Sequence, residues 1–408
     1  MPLMDYSFLN TILPKATNKK SFKNARKSYL NRVRLATSLF FFGKGICFAT
    51  WASRIPDLKL QLHLSESELG TLLFALPFGQ LVAMPLSGKV VTAYGGQKIA
   101  IIGMVVYAIC MTLLGLPTQG WHLGLGLFLF GFFGNFSDIA INTLGVHTQQ
   151  LFAKPIMGSF HGYWSLAGFT GALFALMAIY FQLQPLYHFL LVLVFILVLL
   201  TFNYKYVVKT SIEKIEKKSA VSFFKIQDTT LIWFGVISFF CMASEGIMFD
   251  WSGIYFKDIV KAPSSLVVLG YTSFMITMAF GRFLSDALVS KYGPRKALIV
   301  SGIVISTGFY TAVLFPNLIV CTLAFMLVGF GVSNVIPIVF NAAGKSTKVT
   351  TSNALTIVSS IGFLGFLMGP PIIGYIAEII NLRYSFAFIG VFGIFISLLT
   401  HNLKVFRK

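Results

Sequence analysis

The chain has 408 residues, 56% of them hydrophobic and only 11% charged, with a mean hydropathy of +0.80. A soluble protein of this size carries roughly a quarter of its residues as charges, so a water-soluble fold is excluded. The net charge of +19 does not point to nucleic acid, because the basic residues sit in short clusters between apolar runs and form no basic face interleaved with aromatics.

Residues 1–34 are polar and basic, from Lys15 to Arg34. They lack the short apolar core and small-residue cleavage site of a signal peptide, and read as a retained cytoplasmic tail. A bilayer core of ~30 Å takes ~20 apolar residues per helix. Apolar runs of that order follow at 35–53, 66–88, 98–117, 121–146, 156–180 and 186–203. The polar linker 203–227, with Glu213, Lys214, Glu216, Lys217 and Lys218, is the one long interior connection. Six more runs follow at 228–256, 265–289, 297–315, 318–343, 352–376 and 384–401, before a short tail at 403–408. The pattern predicts an all-α integral membrane protein with twelve transmembrane helices in two six-helix bundles, 35–202 and 228–402. No room is left for a separate soluble domain.

Basic residues set the orientation, since cytoplasmic loops collect Lys and Arg. With both termini and the linker cytoplasmic, only Arg54, Lys59, Lys257, Lys261 and Arg383 fall on the far side, while Lys44 and Arg282 lie within helices. The four cysteines (Cys47, Cys110, Cys241 and Cys321) stand isolated in apolar segments without CxxC spacing, and read as small hydrophobes. No metal or cofactor is expected.

The two halves repeat at an offset of 198 to 200 residues. Tyr94-Gly95 matches Tyr292-Gly293, Gly131-Phe132 matches Gly329-Phe330, Trp51 matches Trp251, and Ser159 and Gly162 match Ser359 and Gly362. Parallel six-helix repeats joined by a cytoplasmic linker are the major facilitator architecture, whose halves rock about a midplane site.

Motifs make the resemblance specific. The loops Gly88-Lys-Val-Val-Thr-Ala-Tyr-Gly-Gly-Gln-Lys98 and Asp286-Ala-Leu-Val-Ser-Lys-Tyr-Gly-Pro-Arg-Lys296 resemble the facilitator loop motif. Thr92 and Ser290 stand where that motif has an acid, so gating is assigned to Asp286 with Arg282 or Arg295. Predicted helix 4, Gly131-Phe-Phe-Gly-Asn-Phe-Ser-Asp-Ile-Ala-Ile-Asn142, is similar to that of the fucose-permease-like branch. So are Gly331-Val-Ser-Asn-Val-Ile-Pro337 on helix 10 and Glu245 on helix 7. The segments Ala49-Thr-Trp-Ala-Ser-Arg-Ile-Pro-Asp57, Ser159-Phe-His-Gly-Tyr-Trp-Ser165 and Gly369-Pro-Pro-Ile-Ile-Gly374 resemble most closely the bacterial YbjJ-type subgroup. The outer end of helix 1 holds Ala52 and Arg54 where fucose permeases carry an acid, so sugar specificity does not transfer directly.

An ionisable group inside a span needs a reason, because it costs ~2.5–3.5 kcal/mol at the centre on insertion scales. Lys44, Asp138, His161, Glu245, Asp250, Arg282 and Asp286 are the candidates. Asn135, Asp138 and Asn142 share one face of helix 4, suited to a polar solute or, in the plainer reading, to helix–helix hydrogen bonds. Either Asp138 or Glu245 is placed to pair with Lys44, as a static pair or as a proton-coupling switch. His161 and Trp164 on helix 5 present a ring donor and a stacking face, or simply pack. Trp251 binds solute or anchors at the interface. Helix 10 adds Asn334 and Asn341 as solute-binding candidates.

The resemblance implies a monomeric, proton-coupled transporter of a small polar solute, with a sugar or sugar derivative favoured, in a bacterial inner membrane. Helix 5 has no Pro beside its glycines, unlike the drug antiporters, which favours symport. The alternatives are a drug or metabolite exporter of the same fold and, less so, a non-transporting sensor. An enzyme is not expected, because no GxSxG or HExxH context is present.

Overall fold

The computed structural model describes residues 19–152, 156–208, 229–343, 346 and 351–403. Among these residues, twelve helices are long and apolar enough to cross a membrane. In a bilayer every backbone polar group must be satisfied internally, which is why so apolar a chain folds as a helix bundle. The N-terminal half contains α1 (Lys19–Ala52), α2 (Glu66–Tyr94), α3 (Gly96–Leu113), α4 (Gly120–Gln150), α5 (Met157–Tyr180) and α6 (Pro185–Asn203). The C-terminal half contains α7 (Thr229–Asp258), α8 and α9 (both within Leu269–Leu314), α10 (Leu318–Ala343), α11 (Thr351–Ile379) and α12 (Leu382–Asn402). A short helix, Ile55–Gln61, joins α1 to α2.

Local signals fix the helix ends. Ser65 and Glu68 form a reciprocal capping box at the start of α2, with Glu68 N donating to Ser65 Oγ at 3.2 Å and Ser65 N to Glu68 Oε2 at 2.9 Å. Pro185 sits in the first turn of α6, where its missing N–H leaves nothing unsatisfied.

Three features depart from the predicted spans. The first helix begins at Lys19, inside the segment read as a tail. The Ile55–Gln61 helix lies where a loop was expected, with Pro56 in its first turn. The connections from α2 to α3 and from α8 to α9 contract to one residue each, Gly95 (φ +87°) and Gly293 (φ +78°). Only glycine adopts that backbone conformation without a steric penalty. The end of the bundle carrying these two glycines is called the turn end, and the opposite one the far end. The linker reading over 209–227 and the tail at 404–408 lie outside the described residues.

The internal repeat reappears as packing. On α4, Gly131 lies directly against the backbone carbonyl of Leu76 on α2; on α10, Gly329 lies against that of Phe274 on α8. One turn along, Gly79 meets the Phe128 carbonyl, and its counterpart Thr277 donates to the Met326 carbonyl at 2.7 Å. The four positions of the first crossing thus map onto the four of the second at one offset, 198 residues, which makes the two bundles pseudo-symmetric copies.

The halves meet along α2 with α11 and α5 with α8. At the first seam Gly70 and Gly374 bring two backbones together: a Cβ on Gly374 would stand 2.5 Å from the Glu66 carbonyl oxygen. At the second, Gly168 receives the Met275 side chain and Gly162 the Phe283 ring.

Candidate functional site

A cavity of about 380 Å³ lies between the halves. Its charged lining comes from α1 (Lys44), α4 (Asp138), α7 (Glu245 and Asp250) and α8 (Arg282). Much of the rest is aromatic. Phe48, Trp164 and Phe249 form a mutually packed set with ring centroids 5.3 to 6.3 Å apart, and Phe366 stacks on Phe249 at 6.2 Å. These rings come from α1, α5, α7 and α11, so each half supplies two.

Two ion pairs face this space. Lys44 Nζ binds Asp138 Oδ1, donates to the Gly134 carbonyl at 2.9 Å and lies 5.4 Å from the Tyr107 ring centre. The lysine is 9% exposed and the aspartate 41%, so the acid is the accessible partner. In the other half, Arg282 Nη2 lies 3.1 Å from Glu245 Oε1, and the guanidinium stands 5.9 Å from the Trp164 ring centre. Arg282 Nη1 also donates to Ser165 Oγ on α5 at 2.9 Å, a hydrogen bond that crosses from one half to the other. Each half forms one ion pair of its own, and the two acids Asp138 and Glu245 do not share Lys44.

Of the sequence-predicted residues, Lys44, Asp138, Asn142, His161, Trp164, Glu245 and Arg282 converge on the cavity. The His161 ring stands edge-on to Phe41 at 5.2 Å. Asn142 donates to the Asp138 carbonyl of its own helix at 2.9 Å. Four others are placed elsewhere. Asn135 accepts a hydrogen bond from Ser87 Oγ at 2.5 Å, joining α4 to α2. Trp251 is fully buried, away from the cavity lining. Asn334 is buried and donates to the Phe330 carbonyl at 3.3 Å, and Asn341 is exposed near the turn end of α10. The helix face shared by Asn135, Asp138 and Asn142 therefore splits, with the first tying helices and the other two meeting the cavity.

The two arginines of the gating assignment have other contacts among the described residues. Arg282 engages Glu245 in the cavity wall, and Arg295 donates to the His401 carbonyl at 3.0 Å, inside the C-terminal half. The Asp286 side chain lies outside the described residues. Sequence reasoning did not bring Gln80, Tyr107, Phe48 or Phe249 to the site. Their only signal was apolar or neutral character on helices that turn out to face inward.

A second polar cluster sits at the far end. Lys59, on the short helix, lies 2.6 Å from Glu66 Oε1 in its own half and 3.0 Å from Asp258 Oδ2 in the other. Lys257 Nζ donates to the Pro56 carbonyl at 3.2 Å, and Ser67 N donates to Glu378 Oε2 at 3.3 Å. The Lys59–Asp258, Lys257–Pro56 and Ser67–Glu378 contacts join the halves at that end.

A sequence model of the Major Facilitator Superfamily matches residues 33–348 and again 252–404. A Yersinia pestis protein described as an uncharacterized MFS-type transporter is 29% identical over 358 residues, covering 88% of this chain and 92% of that one. An uncharacterized transporter of Sinorhizobium fredii is 29% identical over 368 residues, covering 89% and 96%. Among solved structures, a mutant of the nucleoside transporter NupG superposes with a TM-score of 0.76 over 90% of this chain and 99% of its own, at 12% identity. At that identity the likeness establishes the fold alone.

Proposed function

Since the chain belongs to the Major Facilitator Superfamily, we propose that it is a proton-coupled secondary transporter of a small ring-shaped polar solute, a sugar or sugar derivative. It is an integral membrane transporter; the solute and the coupling are the inference. The observation that carries them is the cavity between the halves, where aromatic faces from both halves surround two ion pairs. A sugar-like ring offers an apolar face to stack on Trp164 or Phe249, and hydroxyls to meet Asp138, Asn142, Gln80 and His161.

Alternating access follows from the seams. The Arg282–Ser165 hydrogen bond joins the halves beside the cavity, so a solute that draws on Arg282 acts on the contact between them. Protonation of Asp138, the exposed partner, removes its charge and leaves Lys44 held by the Gly134 carbonyl and the Tyr107 ring. The proton thereby changes the cavity charge by one unit, which biases one of two states. The distribution of basic residues supports placing the turn end in the cytoplasm of a bacterial inner membrane. With that orientation, the Lys59 cluster joins the halves on the periplasmic side of the cavity.

Export of an amphipathic compound is the second reading, favoured by the Phe48, Trp164, Phe249 and Phe366 wall. Uptake of labelled monosaccharides into proteoliposomes under an inward proton gradient separates the two. Accumulation that collapses on adding a protonophore is expected. Extrusion of an amphipathic dye driven by the gradient, without sugar accumulation, would establish the second reading instead.

A further inference from the structure

The cavity holds three acids and two cations. Asp138 is spent on Lys44 and Glu245 on Arg282, which leaves Asp250. Asp250 lies on α7 five residues beyond Glu245, borders the cavity, and has neither an ion-pair nor a hydrogen-bond partner among the described residues. Further along the same helix Lys257 is held by the Pro56 carbonyl, and at the far end Lys59 is held by Glu66 and Asp258. Nearby on α8, the Tyr271 hydroxyl is buried without a partner, and its ring centroid is 6.0 Å from that of Phe249, the residue before Asp250.

A carboxylate inside a span ordinarily pairs with a cation. The two pairs cancel each other, so Asp250, when ionised, leaves the cavity one positive charge short of balance. The surrounding walls are aromatic, and ring faces attract cations. An acid with no partner among the described residues, set on the cavity among ring faces, is a site where a monocation supplied from outside the chain would complete an ion pair.

We propose that Asp250 binds a protonated amine on the transported solute, so that the solute class is an amine-bearing ring such as an amino sugar. The proposal rests on the transport reading above and narrows its solute. The ring stacks on the aromatic set, the ammonium meets Asp250, and the Asp138 and Glu245 pairs stay closed when it binds.

The test uses full-length purified protein in detergent and matched probes differing by one amine: D-glucosamine against D-glucose, D-galactosamine against D-galactose, and benzylamine against benzyl alcohol. Thermal unfolding is followed against probe concentration at constant ionic strength, since a ligand of the folded state raises the transition. An amine is expected to stabilise wild type at concentrations where its neutral partner does not. Asp250→Asn should weaken that amine's binding at least tenfold, while Asp250→Glu keeps most of it. A monodisperse Asp250→Asn protein with an unchanged ligand-free transition separates lost binding from lost folding. Three results would overturn the proposal: no stabilisation by any of the amines, neutral probes binding as well as amines, or Asp250→Asn binding amines as wild type does. If that variant binds normally but no longer accumulates solute under a proton gradient, Asp250 carries the proton, which also overturns it. Uptake of a neutral sugar in any of these cases leaves the transport reading standing; absence of gradient-driven uptake or extrusion of every solute removes that reading itself.

Discussion

Lys44 on α1 is paired with Asp138 on α4, and not with Glu245, which has its own partner in Arg282. The pairing decides which rescue works. Removing one partner of a buried pair typically costs ~3–5 kcal/mol, while replacing both is often tolerated. Because Asp138 is 41% exposed, water recovers part of that cost, and Lys44→Met should destabilise by only ~1–3 kcal/mol. Adding Asp138→Asn should restore the wild-type thermal transition, whereas adding Glu245→Gln should not. If the double mutant binds solute and equilibrates it without accumulation, Asp138 carries the coupling proton. Full accumulation by that protein would make the pair static and move coupling elsewhere.

Glu245 is only 8% exposed, so less water is available to compensate it. Arg282→Met should therefore destabilise more than Lys44→Met, by ~3–5 kcal/mol. It also removes the hydrogen bond to Ser165 across the halves. Arg282→Met with Glu245→Gln should recover stability but transport slowly, because the contact between halves is still missing. Ser165→Ala alone should slow transport without lowering the unfolding temperature by more than a few degrees. A Ser165→Ala protein with wild-type turnover would show that the crossing bond has no part in the cycle.

The twelve spans are legible in the sequence because hydropathy is summed over ~20 residues and survives local error. The Ile55–Gln61 helix is not, since seven mixed residues carry no such sum. The site is half legible. Charges inside spans mark themselves by their cost, which is how Lys44, Asp138, Glu245 and Arg282 come forward. Which charges pair depends on helix rotation and depth, and the apolar sequence around them leaves both open. Aromatic residues fail as signals for the same reason: with 43 Phe in the chain, Phe48 and Phe249 look like any lipid-facing ring. Trp251 shows the converse, a polar-edged ring conspicuous in the sequence and packed away in the fold.

The duplicated helix crossing makes a paired prediction. Gly131 and Gly329 each press on a backbone carbonyl, so a larger residue has nowhere to go. Gly131→Val and Gly329→Val should each destabilise by ~1–3 kcal/mol or more through overpacking. Gly88, which has nothing within 4 Å of its would-be Cβ, should accept Ala at little cost. Detergent-solubilised thermal unfolding measures all three. A stable Gly329→Val protein beside a broken Gly131→Val one would mean that the two crossings are not equivalent supports.

Lys59 holds the far end by standing between acids from opposite halves, 2.6 Å from Glu66 and 3.0 Å from Asp258. Opening that end must separate Lys59 from Asp258, whereas Glu66 belongs to its own half. Lys59→Met should therefore favour the state open at the far end. The shift is modest, because partly exposed pairs contribute ~0.2–1 kcal/mol, or a few-fold in population. A reporter is available on α2: Leu73 borders the cavity and is buried from bulk solvent. With Cys47, Cys110, Cys241 and Cys321 replaced, Leu73→Cys should react slowly with an impermeant thiol reagent added outside intact cells. It should react several-fold faster once Lys59→Met is added. Asp258→Asn should reproduce the change, and Glu66→Gln should do so only weakly, since it cuts no contact between halves. High salt should accelerate labelling of the Lys59 protein towards that of Lys59→Met, as screening weakens exposed pairs. Equal labelling rates with and without Lys59 would reduce its ion pairs to surface charge, and leave that end to the Gly70–Gly374 seam and the Lys257–Pro56 and Ser67–Glu378 contacts.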